Sequence, residues 1–439
     1  MTDTAQAPAT GPFVGITVVE LGQFVVAPFC GQLMADGGAR VIKVEPPTGD
    51  SYRTAQQIAP MESRQFLIKN RGKESIAVSL GHPDAAPVLR GLLEAADVVL
   101  VNLSPAAIAR RGLDYDSVAR INPRIVYGAA TAYGQVGPEA PLPGMDIVVQ
   151  ARSGIMSSLA AESDGLPHHS EVQVADYSSA LLLFGAVAAA LYHRERTGQG
   201  QRVDVSLLGS ALTLQNNSLA HVYGADDWRH DFVSTQLPVL RAEGAGHARI
   251  EQVRRQLRPD AAALTAHYRV FRTADGGVAL GAGSPHARRR LIAETGVDGD
   301  LADTDPDAFG TQLAAVLIER TTQEWVERMH AADVPVAAVR HIEELFFDEH
   351  IRAEGFMADY DHPTVGRYRG LGVPFRMSAT PLSGRGLGSP VFAHHTEQIL
   401  AELGFDAPAR DALADSGAVV RAAAPEAGRL PTDNPRRNV

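Results

Sequence analysis

The residue in this 439-residue sequence best placed to do chemistry is Asp176, in Val174-Ala175-Asp176-Tyr177-Ser178-Ser179. It follows a short apolar run (Val172, Val174) that reads as a strand. It precedes an apolar stretch, to about Tyr192, that reads as a buried helix. At such a junction the carboxylate can cap the helix by accepting from unpaired N–H groups. It can also stay ionised in the positive field of the helix start and attack an acyl group. A carboxyl with an ordinary pKa near about 4 is ionised at neutral pH. A second candidate is the run Lys69-Asn70-Arg71-Gly72-Lys73, between two strand-like apolar segments. Its three cations share one side if the chain is extended. They then form either a solvated charged loop or a set of donors for phosphate oxygens.

These residues need a scaffold. Ile16–Leu21 predicts a first strand, Pro28 to about Asp36 a helix, and Ala39–Val44 a second strand. That is a βαβ opening with a parallel sheet expected. Asp84–Ala95 predicts a helix capped by Asp84, Ala96–Val101 a buried strand, Asp116–Asn122 a helix and Arg124–Ala130 a strand. Gly198 is placed to end the long helix, and Arg202–Leu207 alternates as a half-buried strand. Glu45 sits about where a dinucleotide site would carry its ribose-binding acid. The turn after the first strand, LGQFVVAP, has one glycine and no G-x-G-x-x-G, which argues against such a site.

The chain carries 51 acidic against 40 basic residues, a formal net charge of −11, which disfavours a general nucleic-acid binder. The single cysteine, Cys30, excludes an internal disulfide framework and a Cys-rich zinc site and fits a reducing cytoplasm. It falls in an apolar helix, where cysteine behaves as a small hydrophobe. Met1–Gly11 has neither the basic start nor the apolar core of a signal peptide, and runs such as 180–192 are too short to predict a membrane span. His350, His362, His394 and His395 lack the acidic or Cys neighbours of a metal site and read as structural.

The segments GMDIVVQARSGIMS, VADYSSA and RERTGQGQRVDVSLL, in this order and spacing, resemble the class III CoA-transferase family of CaiB/BaiF type, which also includes 2-methylacyl-CoA racemases. VVELGQFVVAPFCGQLMADGGARVIKVEPPTGD resembles the family's opening, and Asn70, Arg71, Lys73 and Ser75 its N-R-x-K-x-S pattern. The resemblance runs from about Gly15 to Val420 and places the family's nucleophilic aspartate on Asp176. It implies a CoA site that includes Val25, Val26, Lys43, Arg71, Lys73, Asn102, Leu103, Arg110 and Met145, with CoA phosphates near the basic loop. Leu103 departs from the aromatic residue usual there. No cofactor or metal is implied, coenzyme A being a substrate.

The implied fold is α/β: a Rossmann-like large domain formed by both chain ends, a smaller α/β domain, and two chains interlinked as rings in a homodimer. The expected layout is a mobile start (1–14), the large domain (15–210 and 340–421), a helical connection (211–265), the small domain (266–339) and a mobile tail (422–439). The implied reaction moves CoA from an acyl-CoA to a carboxylic acid in the cytoplasm, with no nucleic acid or membrane involved. Two alternatives stand beside it: a racemase, and a CoA-binding scaffold without turnover. In the racemases the residue after the glycine of G-x-D is a histidine base. Here Met145 stands in that place, and a thioether has no proton to exchange.

Overall fold

The computed structural model describes residues 10–159, 162–258, 266–382 and 387–422. Most of the terminal stretches expected to be mobile lies outside them. Within the first, Phe13 is tied down: its N–H donates to Gly37 O at 2.9 Å and its ring meets Phe184 edge-on at 5.8 Å.

The chain forms two compact units. One contains Met1–Leu159, His168–Ala220 and His350–Val439; the other contains Ala160–Pro167 and His221–Glu349. The expected connection 211–265 is therefore divided between them, and residues 340–349 go with the second unit.

The first unit opens with β1 (Thr17–Leu21), α1 (Val26–Asp36), β2 (Arg40–Glu45), α2 (Arg64–Leu67), β3 (Glu74–Val78), α3 (Ala86–Ala95) and β4 (Val98–Val101). It continues with α4 (Pro105–Arg110), β5 (Val126–Thr131), α5 (Asp146–Arg152), α6 (Val174–Thr197) and β6 (Gln201–Ser206). The sheet runs β6-β5-β4-β1-β2-β3, all parallel, and Val419–Val420 adds antiparallel to β3. The inner strands are buried along nearly their whole length, as parallel strands covered on both faces must be. Edge strand β6 alternates exposed and half-buried residues, as its sequence does. The second unit holds a three-stranded antiparallel sheet, Tyr268–Arg272, Gly277–Gly281 and Val336–Ala338, packed against helices such as Pro306–Leu317 and Thr322–Ala331.

From β1 the chain steps outward through β2 and β3, then returns to place β4 on the other side of β1. That reversal opens a crevice at the carboxyl ends of β1 and β4, where open α/β sheets bind ligands.

Two predicted strands are absent. Residues 64–67 form a helical turn, capped by Ser63 Oγ accepting from Phe66 N–H at 3.2 Å. Val172 and Val174 are not in a strand, because α6 begins at Val174 and runs 24 residues to the left-handed Gly198. The alternation 172/174 was too short to separate a strand from a helix start. Asp84 does not cap a helix; His82 accepts from Asp84 N–H at 3.3 Å to start a short 3₁₀ turn. The helix α6 is long and apolar enough to cross a membrane by length and composition. One face of it, with Leu183, Val187 and Leu191, forms core with α1 and the sheet.

Candidate active site

Asp176 is the third residue of α6 and does not cap it. The cap comes from another helix. Asp146, at the start of α5, accepts from Ala175 N–H at 2.8 Å and Asp176 N–H at 3.1 Å through one carboxylate oxygen. Its other oxygen accepts from Gln150 Nε2 at 2.6 Å, one helical turn on. Gln150 in turn donates to Ser170 O at 3.2 Å and accepts from Ser170 N–H at 2.9 Å. The GMDIVVQA segment thus clamps the chain that leads into α6. The Asp146 carboxylate takes up backbone donors of the helix start, so the Asp176 side chain is left without a capping duty.

Asp176 is 8% exposed, and among the described residues no donor reaches its carboxylate oxygens. Burial pushes its pKa up, the Asp146 charge pushes it further, and Lys69 opposes both, leaving it at about 7. The carboxyl is therefore only part ionised at neutral pH, unlike the fully ionised group expected from its type. Its surroundings are aromatic. Tyr177 meets Phe29 edge-on at 5.0 Å, and Tyr52 meets Phe24 edge-on at 5.2 Å. The Tyr52 hydroxyl accepts from Gln173 Nε2 at 2.7 Å, the residue just before α6.

The turn after β1 lies at the crevice. Asn102, just past β4, accepts from Gln23 N–H at 2.9 Å and donates to Gln23 O at 2.7 Å, so one side chain ties the two loops of the crevice together. Gly22 permits this closeness: a Cβ there would strike Ala27 and the Asn102 side chain. Phe24 takes the left-handed φ of 66°, which non-glycine residues adopt at a cost of about 1 kcal/mol or more.

The structure separates the expected CoA residues into two sets. Asn102, Leu103 and Arg110 sit along the crevice loop and α4. Arg110 is exposed and, among the described residues, forms no ion pair, so its charge is available to a phosphate. Met145 is half-exposed at the start of α5. Val25 and Val26 are buried, leaving main-chain groups as their means of touching a ligand.

Lys43, Arg71 and Lys73 are also buried, with their charges committed. Lys43 Nζ contacts Glu20 at 2.9 Å, Asp50 at 2.8 Å and Gly22 O at 2.9 Å. Lys73 Nζ donates to Glu20 at 2.7 Å, Pro28 O at 2.7 Å and Asn70 Oδ1 at 2.8 Å. An ammonium has three N–H donors, so Lys73 has none to spare, and Lys43 makes two hydrogen bonds and an ion pair to Asp50. Arg71 grips Asp36 with two bonds, at 2.8 and 2.5 Å, and donates to the carbonyls of Leu371 and Gly372. The side chains of Lys43 and, in the loop where CoA phosphates were expected, of Arg71 and Lys73 are thus committed to internal partners. The segment is not extended but turns at Gly72 (φ 72°), which sends the side chains inward.

Sequence reasoning missed the parts played by Asp146, Gln150, Lys69, Tyr52 and Gln173. Only the Asp146/Gln150 pair left a signal, two polar residues four apart in a helix that is otherwise apolar up to Arg152. Among the described residues no group of His, Cys, Asp and Glu could hold a metal ion.

A family model described as CoA-transferase family III matches residues 13–396. This chain belongs to CoA-transferase family III. Family relatives include a succinate–glutarate CoA-transferase of Agrobacterium fabrum, 33% identical over 89% of this chain and 96% of the relative. An acetyl-CoA:oxalate CoA-transferase of Acetobacter aceti is 32% identical over 78% of this chain and 85% of its own length. Among solved structures, Rv3272 of Mycobacterium tuberculosis matches with a TM-score of 0.72 at 26% identity, over 90% of this chain and 100% of that one. A CaiB/BaiF family protein from Brucella suis matches with a TM-score of 0.68 at 28% identity, over 90% and 100%. The chain is thus an enzyme of the CoA-transferase class, on the α/β fold with a mainly parallel sheet that these family structures share.

Proposed function

We propose that the enzyme transfers CoA from an acyl-CoA thioester to a carboxylic acid through covalent intermediates on Asp176. The observation that carries this is the Asp176 carboxyl itself: shielded, relieved of capping by Asp146, and, among the described residues, engaged by no donor on its own oxygens. A carboxylate so placed is poorly solvated and correspondingly more nucleophilic than one in water. Asp176 attacks the thioester carbonyl, the C–S bond breaks, and CoA leaves as thiolate from an acyl-aspartyl anhydride. The thiolate attacks the aspartyl carbonyl and releases the donor's acid, leaving an aspartyl-CoA thioester. The acceptor carboxylate attacks that carbonyl and expels the thiolate again. The thiolate then takes the new acyl group and returns the Asp176 carboxylate. Charge passes between carboxylate and thiolate throughout, so no proton is gained or lost overall.

The names of the relatives point to small dicarboxylic acids as the first acceptors to try. We also propose a cytoplasmic homodimer of interlinked chains, with both chain ends in the large domain. Leu181, Leu182 and Tyr192 lie 51, 42 and 66% exposed along the outer face of α6, an apolar stripe that a second copy would cover. The test incubates the protein with an acyl-CoA panel and succinate, glutarate, oxalate or malate, and follows products and protein mass by mass spectrometry. Transfer with an acyl or CoA adduct on the peptide bearing Asp176 is expected. Rapid epimerisation of a 2-methylacyl-CoA in heavy water, with no transfer to any acid, would replace this reading with the racemase.

A further inference from the structure

The reaction above leaves one buried cation without a task. Lys69 lies in the turn after α2 and is fully shielded from solvent. Its ammonium donates to Gln65 Oε1 at 2.6 Å and reaches Gln65 O at 3.4 Å. It stands 5.0 Å from the centre of the Tyr52 ring and 5.7 Å from that of Tyr177. Lys43, Arg71 and Lys73 each hold a carboxylate at ion-pair distance; among the described residues Lys69 has none. A shielded ammonium with so few partners is unfavourable unless its charge acts on something near it.

The charges it faces are those of the reaction site. Burial lowers the pKa of Lys69 to about 8, while Asp176 and then Asp50 pull the other way. Asp176 is bordered by Asp146 from α5, by Tyr177 on its own helix, by Tyr52 with Asp50 from the segment after β2, and by Lys69. Lys69 is the one cation in that set; the other groups either disfavour the Asp176 carboxylate or are neutral.

We propose that Lys69 is a positioning residue for Asp176: its ammonium, held by Gln65 between the rings of Tyr52 and Tyr177, keeps the Asp176 carboxyl charged for attack. This rests on the reading of Asp176 as the nucleophile. Lys69 acts through space and through the two tyrosines, since it has no exposed surface to meet a substrate. The same charge favours the final step, in which Asp176 departs from the anhydride as a carboxylate. It also counters Asp146, whose capping duty brings a like charge to the nucleophile.

The test compares wild type with Lys69→Met, Lys69→Gln and Lys69→Arg in the full-length chain. Isotope-edited infrared spectroscopy of ¹³C-aspartate protein follows the Asp176 carboxyl, assigned by its disappearance in Asp176→Asn. In the neutral variants its titration midpoint should rise by about one pH unit or more, and Lys69→Arg should restore it. The kcat at about pH 6.5 should fall roughly ten-fold more than at about pH 8.5, with KM for acyl-CoA within about two-fold of wild type. Lys69→Gln keeps a polar head for Gln65 and carries the test if Lys69→Met does not fold. An unmoved midpoint in a folded neutral variant, or an equal loss of kcat at every pH, would overturn the proposal. The infrared titration does not depend on transfer. A shifted midpoint alongside an active Asp176→Asn enzyme would instead reject Asp176 as nucleophile.

Discussion

Two clusters of buried charge lie in the same unit, and their chemistry is opposite. Around Glu20, every charge has a partner at bonding distance: Lys43 and Lys73 on Glu20, Lys43 on Asp50, and Arg53 bidentate on Glu45 at 2.6 and 2.9 Å. Burial alone would raise Glu20, yet Lys43 and Lys73 more than offset it and hold its carboxyl below the usual range. Around Asp176, burial and then the Asp146 charge raise the carboxyl to about 7 against the pull of Lys69, which among the described residues makes no ion pair. On the proposed function, the paired cluster braces the fold and the unpaired one carries the reaction. Glu20, paired with Lys43 and Lys73, keeps its charge well below neutral pH, whereas the unpaired Asp176 carboxyl sits near the balance point of its two forms at working pH. Burial still lowers Lys73 to about 8 inside the paired network.

The widest gap between the clusters should open on Asp176→Asn. Transfer should fall by on the order of 10⁴-fold or more, the scale of losing a nucleophile. Folding should not suffer, because Asp146 holds the helix start. The sign of the pH effect follows from a raised carboxyl pKa. Between its ordinary value of 3.8 and about 7 the folded state keeps a proton that the unfolded chain releases, so native stability drains away as pH rises through that window. The asparagine removes this drain. Thermal melts should show Asp176→Asn at least as stable as wild type at about pH 8, with the difference vanishing toward about pH 4. A folded Asp176→Asn protein with near wild-type turnover would remove the distinction between the clusters.

Lys43→Met probes the other side. It strips Glu20 and Asp50 of a buried partner and should destabilise the fold by about 3–5 kcal/mol, measured by denaturant unfolding. The sequence expectation that Lys43 holds CoA makes a different forecast: normal stability and a raised KM. That outcome would return Lys43 to the ligand site.

The sequence made the scaffold legible because its strands are nearly continuous apolar runs and its turns carry Gly and Pro at the points where the chain reverses. Asp176 was singled out by its place before an apolar helix and by the family motifs, Asn102 and Arg110 by the motifs alone. The fate of Lys43, Arg71 and Lys73 was not legible. Whether a cation faces solvent or a carboxylate depends on residues such as Glu20 and Asp36, far away in sequence but adjacent across the fold. Lys69 and Lys73 are four residues apart in one basic loop, yet only Lys73 meets an acid. The cap of α6 was hidden for the same reason, since its donor and acceptor come from helices that meet only in three dimensions.

Asp146→Asn should separate the two duties of Asp146. Its remaining carbonyl oxygen can still accept from Ala175 and Asp176, but Gln150 must turn its amide and give up the bond from Ser170. A stability loss of about 1–2 kcal/mol is expected. With the like charge gone, the Asp176 midpoint should fall, moving the acid limb of the kcat profile to lower pH, opposite to the neutral Lys69 variants. An acid limb that moves up, or stays, would show that Asp146 does not set the charge state of Asp176.

The smallest effect belongs to Cys30, which lies on α1 beside the saturated cluster. It is fully buried, and burial and then the Glu20 charge push its thiol well above the usual range. A thiol so held carries almost no thiolate, and thiolate is the reactive form. Cys30→Ala removes one polarizable atom from a packed core, a loss on the order of 1 kcal/mol. Transfer by the folded variant should stay within about two-fold of wild type, and a thiol reagent should label the native protein only as it unfolds. If Cys30→Ala folds and binds CoA but loses turnover, then a group beside the paired cluster takes part in the reaction. The division between a bracing region and a reacting one would then have to be redrawn through α1.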